Sequence, residues 1–135
     1  MMGIADADSA EHATSSQSLI IAPVTCPVSD RRDGAPKLSG ACKLRIKPGC
    51  RLAAIYGACE IEEEYFCNFE VNPAYRERFE MAGLSLIAFD DRGELRAVEL
   101  PVHRFFIATL YQPQLSSTDE RPHPVIVEFV AAASR

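Results

Sequence analysis

The chain has 135 residues, 47% of them hydrophobic and 24% charged, which is one domain's worth with apolar surface for one modest core. Fourteen Lys and Arg against nineteen Asp and Glu give a net charge of −5; with no basic run or aromatic-interleaved basic patch, this argues against nucleic acid as a partner. The longest apolar runs fall far short of a membrane span, and the first residues carry acids and hydroxyls instead of a basic start, so a cytoplasmic protein with no membrane partner is expected.

Residues 1–18 are polar and small, with Asp6, Asp8, Ser9, Ser15, Ser16 and Ser18, and read as a polar arm or loop ahead of a single domain over 19–135. Leu19-Ile20-Ile21-Ala22-Pro23-Val24 predicts a short strand ended by prolines, and 29–40, with Gly34 and Pro36, a loop. Cys42–Lys47 alternates small or apolar with basic side chains, a half-buried strand whose basic face meets water and which stops at Pro48-Gly49. Arg51–Gly57 is a short apolar element closed by glycine.

Four acids crowd together at Glu60, Glu62, Glu63 and Glu64 before the stretch Tyr65-Phe66-Cys67-Asn68-Phe69-Glu70-Val71. Consecutive carboxylates on a strand alternate faces and are expected in solvent. Asn72-Pro73 then opens a helix in which Tyr75, Phe79 and Ala82 make one apolar stripe, with Gly83 as its stop. Leu84–Phe89 and Leu95–Leu100, joined by Asp90–Glu94, predict a hairpin. Arg104–Leu110 predicts a buried strand, and Gln112 and Gln114 follow it two residues apart, so that an extended backbone would project both to one side. After a polar loop, Pro122-His123-Pro124 starts a final helix with Val125, Ile126, Phe129, Val130 and Ala133 as its buried stripe and His123 as a cap or loop residue.

The cysteines, Cys26, Cys42, Cys50, Cys59 and Cys67, are odd in number and contain no C-x-x-C pair, which argues against a disulfide framework or a zinc site and for reduced thiols. The histidines, His12, His103 and His123, lack ligand-spaced partners. Neither a metal nor a cofactor is expected.

The run Glu99-Leu100-Pro101-Val102-His103-Arg104-Phe105-Phe106-Ile107-Ala108-Thr109-Leu110-Tyr111-Gln112-Pro113-Gln114 resembles the glutamine amidotransferase domain of CTP synthases, where the pattern is roughly E-L-P-x-H-x-F-F-x-x-x-Q-F-H-P-E-F. On that match Gln112 stands at the catalytic histidine and Gln114 at the glutamate. The family's R-H-R-H-R-Y-E-V-N, whose last arginine helps hold the substrate glutamine, corresponds to a stretch where Asn68 replaces that arginine and Phe69 the tyrosine, while Glu70, Val71 and Asn72 match. Gly3–Glu11 is similar to the segment following the nucleophile's helix, which implies a chain starting in mid-domain, with Met1 or Met2 an internal methionine of a longer frame. Lys47-Pro48-Gly49, Ile55-Tyr56-Gly57, Arg121-Pro122-His123-Pro124 and Phe129–Ala133 continue the likeness. It is nearest to the stand-alone group called CTP synthase C-terminal region-related proteins, some of which are described as selenoproteins.

The resemblance implies an α/β fold: the C-terminal half of a class I glutamine amidotransferase-like, flavodoxin-like domain, an incomplete sheet with a hairpin and two main helices. Its chemistry requires a cysteine on a G-x-C-x-G turn with oxyanion donors around it. The nearest approach, Gly57-Ala58-Cys59, runs on into Glu60 with no second glycine. An amide at position 112 does not titrate near neutral pH and accepts no proton from a thiol. The expected function is therefore a module silent in glutamine hydrolysis and, for this chain alone, not an enzyme. Its degenerate crevice at Asn68, Phe69 and Glu70 would suit a small amino-acid-like ligand, and its open sheet edge a homodimer or another chain. Two alternatives stand beside this one: a thiol or redox protein using Cys67 as its reactive thiol, and a truncated gene product bearing the CTP synthase name by similarity. The synthase reaction itself needs a phosphate-binding loop, and no G-x-x-x-x-G-K-[ST] is present.

Overall fold

The computed structural model describes residues 3–12, 18–23, 39–66 and 68–135. Cys26, Cys67 and almost all of the predicted loop over 29–40 lie outside them. Strands β1 (Ala7–Ser9), β2 (Ser18–Pro23) and β5 (Phe69–Val71) form a small sheet in the order β1-β2-β5, parallel between the first pair and antiparallel between the second. A five-stranded antiparallel sheet runs β4 (Glu60–Phe66), β3 (Ser39–Ile46), β6 (Ser85–Asp90), β7 (Leu95–Glu99), β8 (Ile107–Thr109). Three helices complete the described chain: α1 (Arg51–Tyr56), α2 (Arg76–Met81) and α3 (Pro124–Ala133).

Both faces of the larger sheet are covered. On one, Leu44, Ile46, Leu52, Ile87, Ala88, Ala97, Tyr111 and Val125 pack beneath α1 and the start of α3. On the other, Val71, Phe79, Leu84, Leu86, Leu95 and Val98 pack beneath α2 and the small sheet. Ile87 and Ala88 reach the same core although adjacent in sequence, because β6 carries a register shift between Leu86 and Phe89 that interrupts the alternation. In β3 the alternation is regular: Leu44 and Ile46 are buried while Lys43 and Arg45 face water, as their spacing predicts.

Local chemistry sets the helix ends. The Cys50 sulfur accepts from the Ala53 N–H at 3.4 Å, and Gly57 ends α1 in the left-handed region at φ 66° with its N–H on the Ala53 carbonyl. The predicted helix after Asn72 begins as a 3-10 turn over Pro73–Tyr75 before becoming α2. Asn72 Oδ1 accepts from the Ala74 N–H, and Asn72 Nδ2 donates to the Leu19 carbonyl at 2.9 Å, which ties that start to β2.

Four expectations are corrected. Ala7–Ser9, inside the stretch that reads as a polar arm, pairs with β2 through its backbone. The strand expected over Arg104–Leu110 is only Ile107–Thr109, because the His103 and Arg104 carbonyls are taken by the Arg51 guanidinium at 3.1 and 2.6 Å instead of by a neighbouring strand. On α3 only Val125 of the expected stripe is buried; Phe129 and Val130 are each 55% exposed, since the helix meets the core at its first turn, with Phe129 against the Phe105 ring. Glu63, expected in solvent, is 6% exposed.

Candidate functional site

The Tyr111–Gln114 segment leaves β8 and at once turns. Pro113 opens a 3-10 turn over Pro113–Leu115 with Gln112 as its cap, so the two glutamines do not share one face of an extended strand. Pro113 fixes φ near the helical value and ends the extension. Gln114 is exposed on that turn. Gln112 is half-buried and faces β4: its backbone N–H donates to the Glu64 carbonyl at 2.9 Å and its Nε2 to the Phe66 carbonyl at 3.2 Å. The fold thus brings Gln112 to the end of β4, beside the step from Phe66 to Asn68.

Asn68 and Phe69 are half-buried and Glu70 is buried at 2% exposure. Glu70 lies in an ion network, with Oε2 at 3.9 Å from both Arg92 and Arg96. Asp90 anchors that network. Its Oδ2 takes the Arg96 guanidinium at 2.8 and 3.0 Å, while Oδ1 accepts the Arg92 and Glu94 backbone N–H groups at 2.9 Å. Burial alone would raise the Asp90 pKa, but the Arg96 and backbone hydrogen bonds outweigh it and hold the carboxyl below its ordinary value. Cys67 lies outside the described residues.

A second constellation escaped the sequence reading. Glu63 Oε1 accepts from the Tyr56 hydroxyl at 2.6 Å and lies 2.9 Å from His123 Nε2. Tyr111 Oη is 3.2 Å from Tyr56 Oη. His123 Nδ1 accepts the Val125 N–H at 3.2 Å, capping α3, so the ring proton sits on Nε2 and points at the carboxylate. Glu63 Oε2 is buried without a hydrogen-bond partner among the described residues. Burial first, and the neighbouring hydroxyl and carboxylate after it, push the Tyr56 phenol far above its ordinary pKa; burial does the same to Tyr111. Cys42, the cross-strand partner of Glu63, has its thiol pushed up by burial, with nearby carboxylates adding to the effect. It is no ready nucleophile. No sequence signal pointed to it: the two partners of Glu63, Tyr56 and His123, and Tyr111 beyond them, come from three other segments, which no local pattern links.

On the face beneath α2, a half-open apolar cavity of about 250 Å³ lies between Ile21, Val71, Phe79, Leu95, Phe106 and Leu110.

No family model matches the chain. It is 37% identical over 110 residues to the CTP synthase of Chelativorans sp. (strain BNC1), covering 77% of this chain and 20% of that protein. The CTP synthase of Symbiobacterium thermophilum is 32% identical over 134 residues, covering 98% of this chain and 25% of the other. That of Thermococcus kodakarensis is 42% identical over 108 residues, covering 78% and 20%. The chain thus spans about a fifth to a quarter of the length of these curated relatives. Among solved structures, the glutaminase domain of Trypanosoma brucei CTPS with bound acivicin superposes with a TM-score of 0.87 at 34% identity, over 99% of this chain and 53% of that one. In sequence and in fold, this chain is a partial counterpart of the class I glutamine amidotransferase domain of CTP synthases.

Proposed function

We propose that the chain is an amidotransferase-like module that does not hydrolyse glutamine by itself and that offers the crevice near Asn68, Phe69 and Gln112 to a small amino-acid-like ligand. The observation that carries this reading is the engagement of Gln112. A residue at the place of a catalytic base has its backbone N–H on the Glu64 carbonyl and its side-chain amide on the Phe66 carbonyl. An amide so held fastens a loop and cannot take a proton from a thiol. The absence of a G-x-C-x-G turn from this sequence supports the same reading, since losing one member of a catalytic unit already removes most of the rate. In this reading the module is cytoplasmic and pairs through its open sheet edge with a second copy or another chain.

The test is glutamate release from glutamine by the purified chain, alongside its thermal unfolding with and without glutamine. The expected result is no turnover above a buffer blank and a midpoint raised by glutamine. Turnover would overturn the silent-module reading, and an unmoved midpoint would overturn glutamine as the ligand. Restoring Gln112→His together with Gln114→Glu is expected to leave turnover at zero, because no thiol on an elbow is there to be activated.

A further inference from the structure

Tyr111 joins two constellations that share no side chain. Its hydroxyl belongs to the buried group around Glu63, and its backbone leads directly into Gln112, which closes on the end of β4. The direction of each hydrogen bond follows from proton supply. The Tyr56 hydroxyl spends its single proton on Glu63 Oε1 at 2.6 Å, so the contact at 3.2 Å between the two phenols has Tyr111 as donor and Tyr56 as acceptor. With the His123 Nε2 proton also aimed at Oε1 at 2.9 Å, the carboxylate ends a chain that runs Tyr111 to Tyr56 to Glu63. Tyr111 is 1% exposed, so its hydroxyl has no water to turn to, and an unmade buried bond there would cost more than the bond itself contributes. Glu63 and Glu64 are neighbours on β4, and the Glu64 carbonyl is the one that receives the Gln112 N–H. One strand therefore holds the segment twice, once through the buried carboxylate and once through its backbone.

We propose that Glu63 is a positioning residue for the crevice: by fixing Tyr56 and, through it, Tyr111, it sets where Gln112 sits over the end of β4. The same carboxylate fixes the His123 ring that caps α3, so the start of the last helix and the crevice loop are placed by one buried acceptor. The use of the crevice rests on the function proposed above; the placement does not, and it can be measured without any ligand.

The experiment is amide hydrogen exchange followed by NMR on the full chain. The Gln112 main-chain and side-chain amides report the crevice. The Leu110 N–H, held by the Arg96 carbonyl at 2.9 Å, and the Lys47 N–H, held by the Ile87 carbonyl at 2.8 Å, serve as references nearby and across the sheet. Tyr111→Phe keeps the ring and the core volume and removes only the donor. It is expected to speed exchange at Gln112 by about fivefold to tenfold, the equivalent of one lost hydrogen bond, with the references changed by less than about twofold. Glu63→Met should reproduce that pattern, and Glu63→Gln, which keeps an acceptor at the Oε1 position, should restore most of the protection. An unchanged Gln112 in Tyr111→Phe, loosening of all four amides together, or equal effects of Glu63→Met and Glu63→Gln would overturn the proposal. If Glu63→Met does not fold, Tyr111→Phe and Glu63→Gln still decide. Failure of this test leaves the glutamine assay untouched, and the reverse also holds.

Discussion

His123 serves two bonds at once, accepting the Val125 N–H at Nδ1 and aiming Nε2 at Glu63. His123→Ala removes the cap and leaves the carboxylate with one donor fewer. A loss of about 2 kcal/mol is expected in urea unfolding, roughly half from each interaction. At Asp90 the argument concerns pH. Its folded carboxyl titrates below the unfolded one, so the associated stability is present above the unfolded carboxylate range and is lost as pH falls below it. The melting temperature is expected to drop steeply below about pH 4, and Asp90→Asn should start from a lower plateau and lose less over that window. A parallel course for the two proteins would show that Asp90 is not the group responsible. In sequence, Asp90 reads as a turn residue and Glu63 as one acid in a solvated run. Both readings follow correctly from local pattern and miss the burial, which depends on what the other segments bring.

Among the elements, α1 is closed by Gly57 at φ 66°, and no atom lies within 4 Å of where a Cβ would stand there. Gly57→Ala should therefore cost only the left-handed backbone penalty, about 1 kcal/mol, with no steric addition. A much larger drop in thermal midpoint would mean that the helix end is crowded. Phe79, on α2, is 7% exposed and also lines the cavity. Because that space is already partly open, Phe79→Ala is expected near the lower end of the usual range, at about 3 kcal/mol in urea unfolding. The hairpin of β6 and β7, the alternation of β3 and the cap at Asn72 were legible because each depends on residues a few positions apart. The short β8 and the exposed flank of α3 were not. The first is decided by Arg51, far upstream, capturing the His103 and Arg104 carbonyls, and the second by how little of the sheet lies beneath the helix.

For the whole molecule, the Tyr56–Glu63–Tyr111–His123 group ties α1, β4, the segment after β8 and the start of α3 together. Both phenols titrate above their unfolded value when folded. The neutral form is thus the one the fold protects: their contribution is complete below about pH 10 and declines as the unfolded phenols begin to ionise above it. Unfolding midpoints measured from pH 8 to 11 should be flat and then fall, and Tyr111→Phe should fall less. A fall of equal size in the variant would assign the alkaline loss to other groups. By itself the sequence determined most element types, the cap at Asn72 and the amidotransferase likeness, because these are set by side-chain periodicity and by short ordered motifs. Only the tertiary structure decided that Gln112 is held against the Glu64 and Phe66 carbonyls and that Glu63 is the buried acceptor behind it. Both facts depend on segments about fifty residues apart being brought within hydrogen-bond reach, and close range between distant segments is created only when the core packs.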